Sequence, residues 1–168
     1  MKFIIINGPC GVGKSSLANT LHKERPLSFL FDSYAQIRCI SQYERFGEER
    51  WEMTVEIAAA VIDAMLRLGR DVILDMMIYS PEVLERFCGM AKAYDAQIDE
   101  FMLCAPKEVV ISRAQKRGWH DNLLSEEKVA SIWDRMEGVK AYRTKAHLID
   151  TDNRSTEEVY AQVNNLLK

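Results

Sequence analysis

Residues 3–21 read Phe3-Ile4-Ile5-Ile6-Asn7-Gly8-Pro9-Cys10-Gly11-Val12-Gly13-Lys14-Ser15-Ser16-Leu17-Ala18-Asn19-Thr20-Leu21. Phe3 to Ile6 is a continuous apolar run, the pattern of a strand buried on both faces of a parallel sheet. Beyond Ser16, Leu17, Ala18 and Leu21 recur at helical spacing until Pro26 ends the segment. Between them, Gly8 to Ser15 fits G-x-x-x-x-G-K-[ST], with the strand before and the helix after that this pattern requires. Its glycines let the backbone fold into a nest of N–H groups, and the dipole of the helix that follows adds positive potential toward bound phosphate. Gly8, Pro9, Cys10, Gly11, Val12, Gly13, Lys14, Ser15 and Ser16 are therefore the expected nucleotide-binding residues. Lys14 is expected to reach the β and γ phosphates of ATP, and the Ser15 hydroxyl to meet Mg²⁺.

Outward from this loop the chain alternates strand-type and helix-type segments to its end, the signature of an α/β sheet. Strands are predicted over 28–31, 72–74, 98–103 and 146–149. The clearest helix is 51–68, with Met53, Ile57, Ala60, Val61, Ala64, Met65 and Leu68 on one face. Ser80-Pro81-Glu82-Val83 reads as an N-cap with proline at the first helical position, and Ser155-Thr156-Glu157-Glu158 opens the terminal helix. No repeat or linker interrupts the pattern, so residues 1–168 are expected to form one domain.

Composition agrees. The chain is 48% hydrophobic and 28% charged, which excludes disordered and low-complexity classes. A net charge of −3 argues against a general polyanion binder. The apolar runs are too short to span a bilayer or form a signal-peptide core, so no membrane association is expected. Cys10, Cys39, Cys88 and Cys104 form no CxxC and read as isolated reduced thiols, pointing to a cytoplasmic protein. Cys10, at a helix N-terminus, is expected to have a lowered thiol pKa.

A phosphate loop shows what is bound, not what is done with it. The chain lacks the N/T-K-x-D that reads guanine, and its length argues against a motor or AAA-type ATPase. Its shortness, its loop and the residues that follow resemble the small P-loop kinases of metabolites, nucleotides and polynucleotide ends, over nearly the whole chain. The resemblance implies an α/β P-loop NTPase, a three-layer sandwich with a five-stranded parallel sheet in the order 2-3-1-4-5. Asp32, in Phe31-Asp32-Ser33-Tyr34, stands where these kinases place an acid facing the acceptor hydroxyl; a helix N-cap is the alternative. Asp75 ends Val72-Ile73-Leu74-Asp75, which is similar to the strand whose acid holds Mg²⁺; a solvated strand end is the alternative.

Arg113 and Arg117 are four apart on one helix face. In Arg-x-x-x-Arg at the start of a lid, the family pattern implies that Arg113 stacks on adenine and Arg117 neutralises the transferring phosphoryl group. Asn153 and Arg154 follow the fifth strand, where such kinases pass a loop beside the adenine. The lid is expected over about 118–137, with His120 inside it, to exclude water. Catalytic roles thus fall to Lys14, Asp32 and Arg117, and Mg²⁺ to Ser15 and Asp75.

The expected reaction is Mg²⁺-ATP-dependent transfer of the γ-phosphoryl to a hydroxyl of a small molecule. Alternatives are a nucleotide-binding regulatory or resistance protein without turnover, or a nucleoside or polynucleotide 5′-hydroxyl kinase. Asp75-Met76-Met77 departs from the polynucleotide kinases, as does Ala35 where they carry arginine. Shikimate kinases carry three glycines after strand three and gluconate kinases a His-rich segment after strand two, and neither is present. Asp32-Ser33 resembles the antibiotic-modifying phosphotransferases. Arg38, Arg45 and Arg50 lie on the acceptor side, either facing an anionic acceptor or pairing with Glu44, Glu48 and Glu49 on a solvated face. The protein is expected to be a monomer or homodimer that binds no nucleic acid.

Overall fold

The computed structural model describes residues 1–119 and 124–167. Five strands form one parallel sheet: β1 (Lys2–Asn7), β2 (Phe29–Asp32), β3 (Val72–Asp75), β4 (Gln97–Cys104) and β5 (His147–Asp150), in the order β2-β3-β1-β4-β5. This is the expected order, with strands two and five shifted by one residue from the predicted bounds, strand three longer by one at its end, and strands one and four longer by one at each end. The helices are α1 (Lys14–Lys23), α2 (Ser33–Arg38), α3 (Gly47–Arg67), α4 (Pro81–Ala93), α5 (Lys107–Lys116), α6 (Glu126–Tyr142) and α7 (Thr156–Leu166), with a 3-10 turn at Tyr43–Arg45.

Alternation along the strands divides the core into two layers. Ile4, Ile6, Ile73, Leu103 and Ile149 face α1, α5, α6 and α7, while Phe3, Ile5, Phe31, Val72 and Leu74 face α3 and α4. β1 is central and its residues Phe3 to Ile6 are wholly buried, as a strand covered on both faces must be.

One face was misassigned by periodicity. α3 buries Val55, Ala58, Ala59, Ile62 and Leu66, whereas Met53 and Leu68 are exposed. From Val55 to Leu66 the helix is apolar nearly all round, so several stripes have helical spacing. The one chosen carries Ala58 and Ala59, whose small side chains allow close approach to the sheet.

Helix starts follow their capping signals. The Ser80 hydroxyl accepts from the Val83 N–H, and Ser155 and Glu158 form a reciprocal capping box. α6 begins at the Ser125 cap and runs to Tyr142, burying Val129, Met136 and Val139, so the expected lid limit at 137 falls inside a continuous helix. His120 and its three successors, within that expected lid, lie outside the described residues. One charged pair is tucked beside β4: Arg143 donates from Nε to Glu100 Oε1 at 3.2 Å and from Nη2 to Oε2. No helix among the described residues is long and apolar enough to cross a membrane.

Because all strands run the same way, their C-terminal ends share one edge. The register aligns Asp32 with Asp75 and Asp75 with Ile6, next to Asn7 and the loop that follows. Open α/β sheets bind ligands in this crevice.

Candidate active site

Residues 8–13 wrap around the edge of β1 with three glycines at positive φ: Gly8 at 139°, Gly11 at 79° and Gly13 at 105°. A Cβ on Gly8 would stand 2.5 Å from the Leu103 carbonyl oxygen, and one on Gly11 2.7 Å from that of Val110. These two glycines are thus required by close approach as well as by conformation. Gly8→Ala should lower stability by about 2 kcal/mol, read as a fall in the urea midpoint with unchanged slope. Gly13 leads into α1 without a side-chain cap, leaving the first N–H groups of the helix for an anionic ligand.

Asn7, which the sequence reading passed over, holds this loop from behind. Its Oδ1 accepts from the Gly8 N–H at 2.8 Å and the Ile78 N–H at 3.1 Å, while its Nδ2 donates to the Ile78 carbonyl at 3.0 Å. A polar residue ending a buried strand just before the loop was the available signal.

Lys14 Nζ donates to the Pro9 carbonyl at 3.0 Å. Burial holds its ammonium below the usual lysine range, opposed by the Asp75 carboxylate; Arg117 pushes the same way as burial. Asp75 is 3% exposed, so its solvated alternative fails. The Ser15 hydroxyl donates to Asp75 Oδ2 at 2.6 Å. Burial pushes the Asp75 carboxyl up, and Lys14 and the Ser15 hydrogen bond pull it back. Two hard oxygens held together beside a phosphate loop fit Mg²⁺, which takes one or two protein oxygens and completes its shell with phosphate and water. Among the described residues no cluster of three or more His, Cys, Asp or Glu could hold a metal by itself.

At the end of β2, Asp32 caps α2 through one oxygen: Oδ1 accepts from the Tyr34 N–H at 2.9 Å and the Ala35 N–H at 3.2 Å. The capping alternative is therefore real, and it leaves Oδ2 free of the cap. Asp32 also lines a cavity of about 230 Å³. That cavity contains Lys14, Ser15, Asp75 and Arg117 at its polar end, and Tyr34, Ile37, Met77, Leu124 and Ile132 along its walls. Of the two methionines after β3, Met77 faces this cavity and Met76 fills the core.

A second cavity, of about 210 Å³, opens on the other side of the loop. Gly11, Gly13 and Arg117 line both. Arg113, Thr151 and Arg154 complete much of its wall. Arg113 is anchored by two hydrogen bonds to Thr151, from Nη1 to Oγ1 at 3.1 Å and from Nη2 to the carbonyl at 2.9 Å. Thr151, which stands in the loop expected beside the adenine but was given no role of its own, is itself fixed to the Cys104 carbonyl by its N–H. Asn153 turns its amide onto Asp152 in an exposed bend and does not line the cavity.

Cys10 departs from expectation. Its thiol is buried, and burial pushes its pKa up, outweighing the pull of Lys14 and of a backbone hydrogen bond. It serves the loop through its backbone and packs into the core.

A family described as an AAA domain matches residues 3–139. No curated protein sequence matches. Among solved structures, the tunicamycin resistance protein of Deinococcus radiodurans superposes with a TM-score of 0.67 at 20% identity, covering 99% of this chain and 96% of its own. A deoxyadenosine kinase from M. mycoides gives 0.63 at 16%, covering 99% of both chains. A gluconokinase from Sinorhizobium meliloti 1021 gives 0.71 at 12%, covering 99% and 95%. At these identities the likeness is one of fold.

Proposed function

Because this chain belongs to the AAA-domain family of P-loop proteins, we propose that it is a phosphotransferase moving the γ-phosphoryl group of ATP to a hydroxyl of a small-molecule acceptor. The carrying observation is two cavities that meet at Gly11, Gly13 and Arg117, one of them containing Asp32. A donor and an acceptor bound in them would face each other across the phosphate loop. Kinases among the structures of like fold support the same reading.

In this scheme the nucleotide base and ribose occupy the cavity beside Arg113, Thr151 and Arg154, with Asn153 in the adjoining bend. The N–H groups of residues 8–16 hold the phosphates, and Lys14 and Arg117 face the transferring group. Ser15 and Asp75 hold Mg²⁺, which when bound neutralises charge on the β and γ oxygens. Asp32 orients the acceptor hydroxyl. As the acceptor oxygen bonds to phosphorus and the bond to the ADP oxygen breaks, the hydroxyl proton passes to the free Asp32 oxygen. Leu124 and Ile132, from the lid region, cover the acceptor and keep water from competing.

The test is ATP consumption with a panel of hydroxyl compounds. The expected result is slow basal hydrolysis that rises at least tenfold with one acceptor, accompanied by stoichiometric phosphorylated product. Tight nucleotide binding with no stimulating acceptor would instead mark a protein that sequesters its ligand without turnover. The apolar cavity walls favour a small molecule over a polynucleotide end. We further propose a cytoplasmic monomer or homodimer.

A further inference from the structure

Three arginines lie between β2 and the body of α3, and the structure sends them to different places. The Arg45 guanidinium hydrogen-bonds to Gln42 on the exposed 3-10 turn. Arg38 sits over the Tyr34 ring, 5.8 Å from its centroid. Arg50, in the first turn of α3, lines the acceptor cavity. Its Nη1 donates to the Tyr43 carbonyl at 3.0 Å, which fastens the guanidinium against the turn. A guanidinium has five N–H donors, so one backbone acceptor leaves most of them unused.

Glu44, Glu48 and Glu49, the sequence neighbours that could have neutralised it, are all exposed. Among the described residues no carboxylate lies within ion-pair distance of Arg50. The other charges of the cavity have assignments under the kinase reading: Lys14 and Arg117 to phosphate, Asp75 to the Ser15 pair, Asp32 to the hydroxyl. Arg50 alone is left over, half-buried, beside walls of Ile37, Met77, Leu124 and Ile132. A planar, permanently charged fork in such a place is complementary to a two-oxygen anion.

We infer that the acceptor is an amphipathic hydroxyl compound, with an apolar body and one oxyanion group bound by Arg50. This rests on the kinase reading for the place of the hydroxyl, but the anion subsite is measurable by binding alone. Phosphoryl transfer would then join the hydroxyl oxygen to phosphorus at the Asp32 end, leaving the oxyanion group unchanged.

The probes are 4-(2-hydroxyethyl)benzoate, the phosphate monoester 4-(2-hydroxyethyl)phenyl phosphate, and the uncharged 4-(2-hydroxyethyl)benzamide. Each is titrated calorimetrically into the full chain saturated with Mg²⁺ and a non-hydrolysable ATP analogue. At least one anion should bind tenfold or more tighter than the amide, the two anionic arms showing whether carboxylate or phosphate is preferred. Arg50→Gln should erase that preference without altering amide affinity, with nucleotide affinity serving as the check on folding. If Arg50→Gln does not fold, Arg50→Lys, which keeps the charge and loses the fork, should still reduce the preference several-fold. Equal or tighter binding of the amide, no binding by any probe, or a preference that survives substitution overturns the inference. An Arg50-dependent anion preference, combined with no phosphorylated product from the whole panel of hydroxyl compounds when Mg²⁺-ATP replaces the analogue, overturns the kinase reading alone.

Discussion

Lys14→Met should lower kcat for phosphoryl transfer by about 10³-fold, with little change in the KM for the acceptor. The magnitude is that of removing one preorganised donor aimed at charge developing in a transition state, about 10²–10³-fold. It belongs at the upper end here because phosphoryl transfer asks the protein for positioning and charge stabilisation and little else. Methionine matches the apolar length of the lysine stem, so what the substitution removes is the ammonium. That ammonium is held in a desolvated place, with Asp75 as its main compensation and the Pro9 carbonyl as its hydrogen-bond partner. Under the proposed reaction, a bound γ-phosphate would add to these partners. Steady-state kinetics with the best acceptor provide the measurement, and a loss below tenfold would remove Lys14 from the reacting charge.

Asp32→Asn is the second large effect: transfer should fall about 10³-fold, within the range of a general base, while ATP affinity stays within twofold. The structure makes this substitution unusually clean. Both capping hydrogen bonds go to one oxygen, Oδ1, from Tyr34 and Ala35. Asparagine keeps an oxygen there and is as good an N-cap as aspartate, so α2 retains its start. What changes is the second oxygen, which becomes an amide that cannot take a proton. Asp32→Ala separates the two roles: it should lose the same activity and about 1 kcal/mol of stability besides. Equal transfer by Asp32→Asn and wild type would leave Asp32 as a cap alone.

The phosphate loop was legible because its signals are local: an apolar strand, three glycines, Lys14-Ser15 and a helix, all within 21 residues. Sheet order came through the resemblance that loop supports, and caps at Ser80 and Ser155 through nearest-neighbour chemistry. Features decided by distant partners were not legible. Asn7 matters because Ile78, 71 residues on, meets it. Thr151 matters because Arg113 reaches it across 38 residues. The three arginines at 38, 45 and 50 are not told apart by their sequence, and it is Arg50, tied to the Tyr43 carbonyl, that lines the cavity. The face of α3 was misread for a related reason. Where a helix is apolar all round, its buried side is set by what the sheet presents, and periodicity carries no information about that.

The Asn7 bridge has a consequence for how such a protein diversifies. One amide ties the phosphate loop at Gly8 to the segment at Ile78, next to Met77 in the acceptor wall. Redrawing that wall would disturb the nucleotide end as well, so one side of the cavity is frozen by its shared fastening. The opposite side is fastened locally: Tyr34 and Ile37 sit on a short helix capped by Asp32, and Arg50, at the start of a long one, is held by the Tyr43 carbonyl of the exposed arm between them. New acceptors should be won by rewriting residues 33–50, with the Met77 side inherited unchanged.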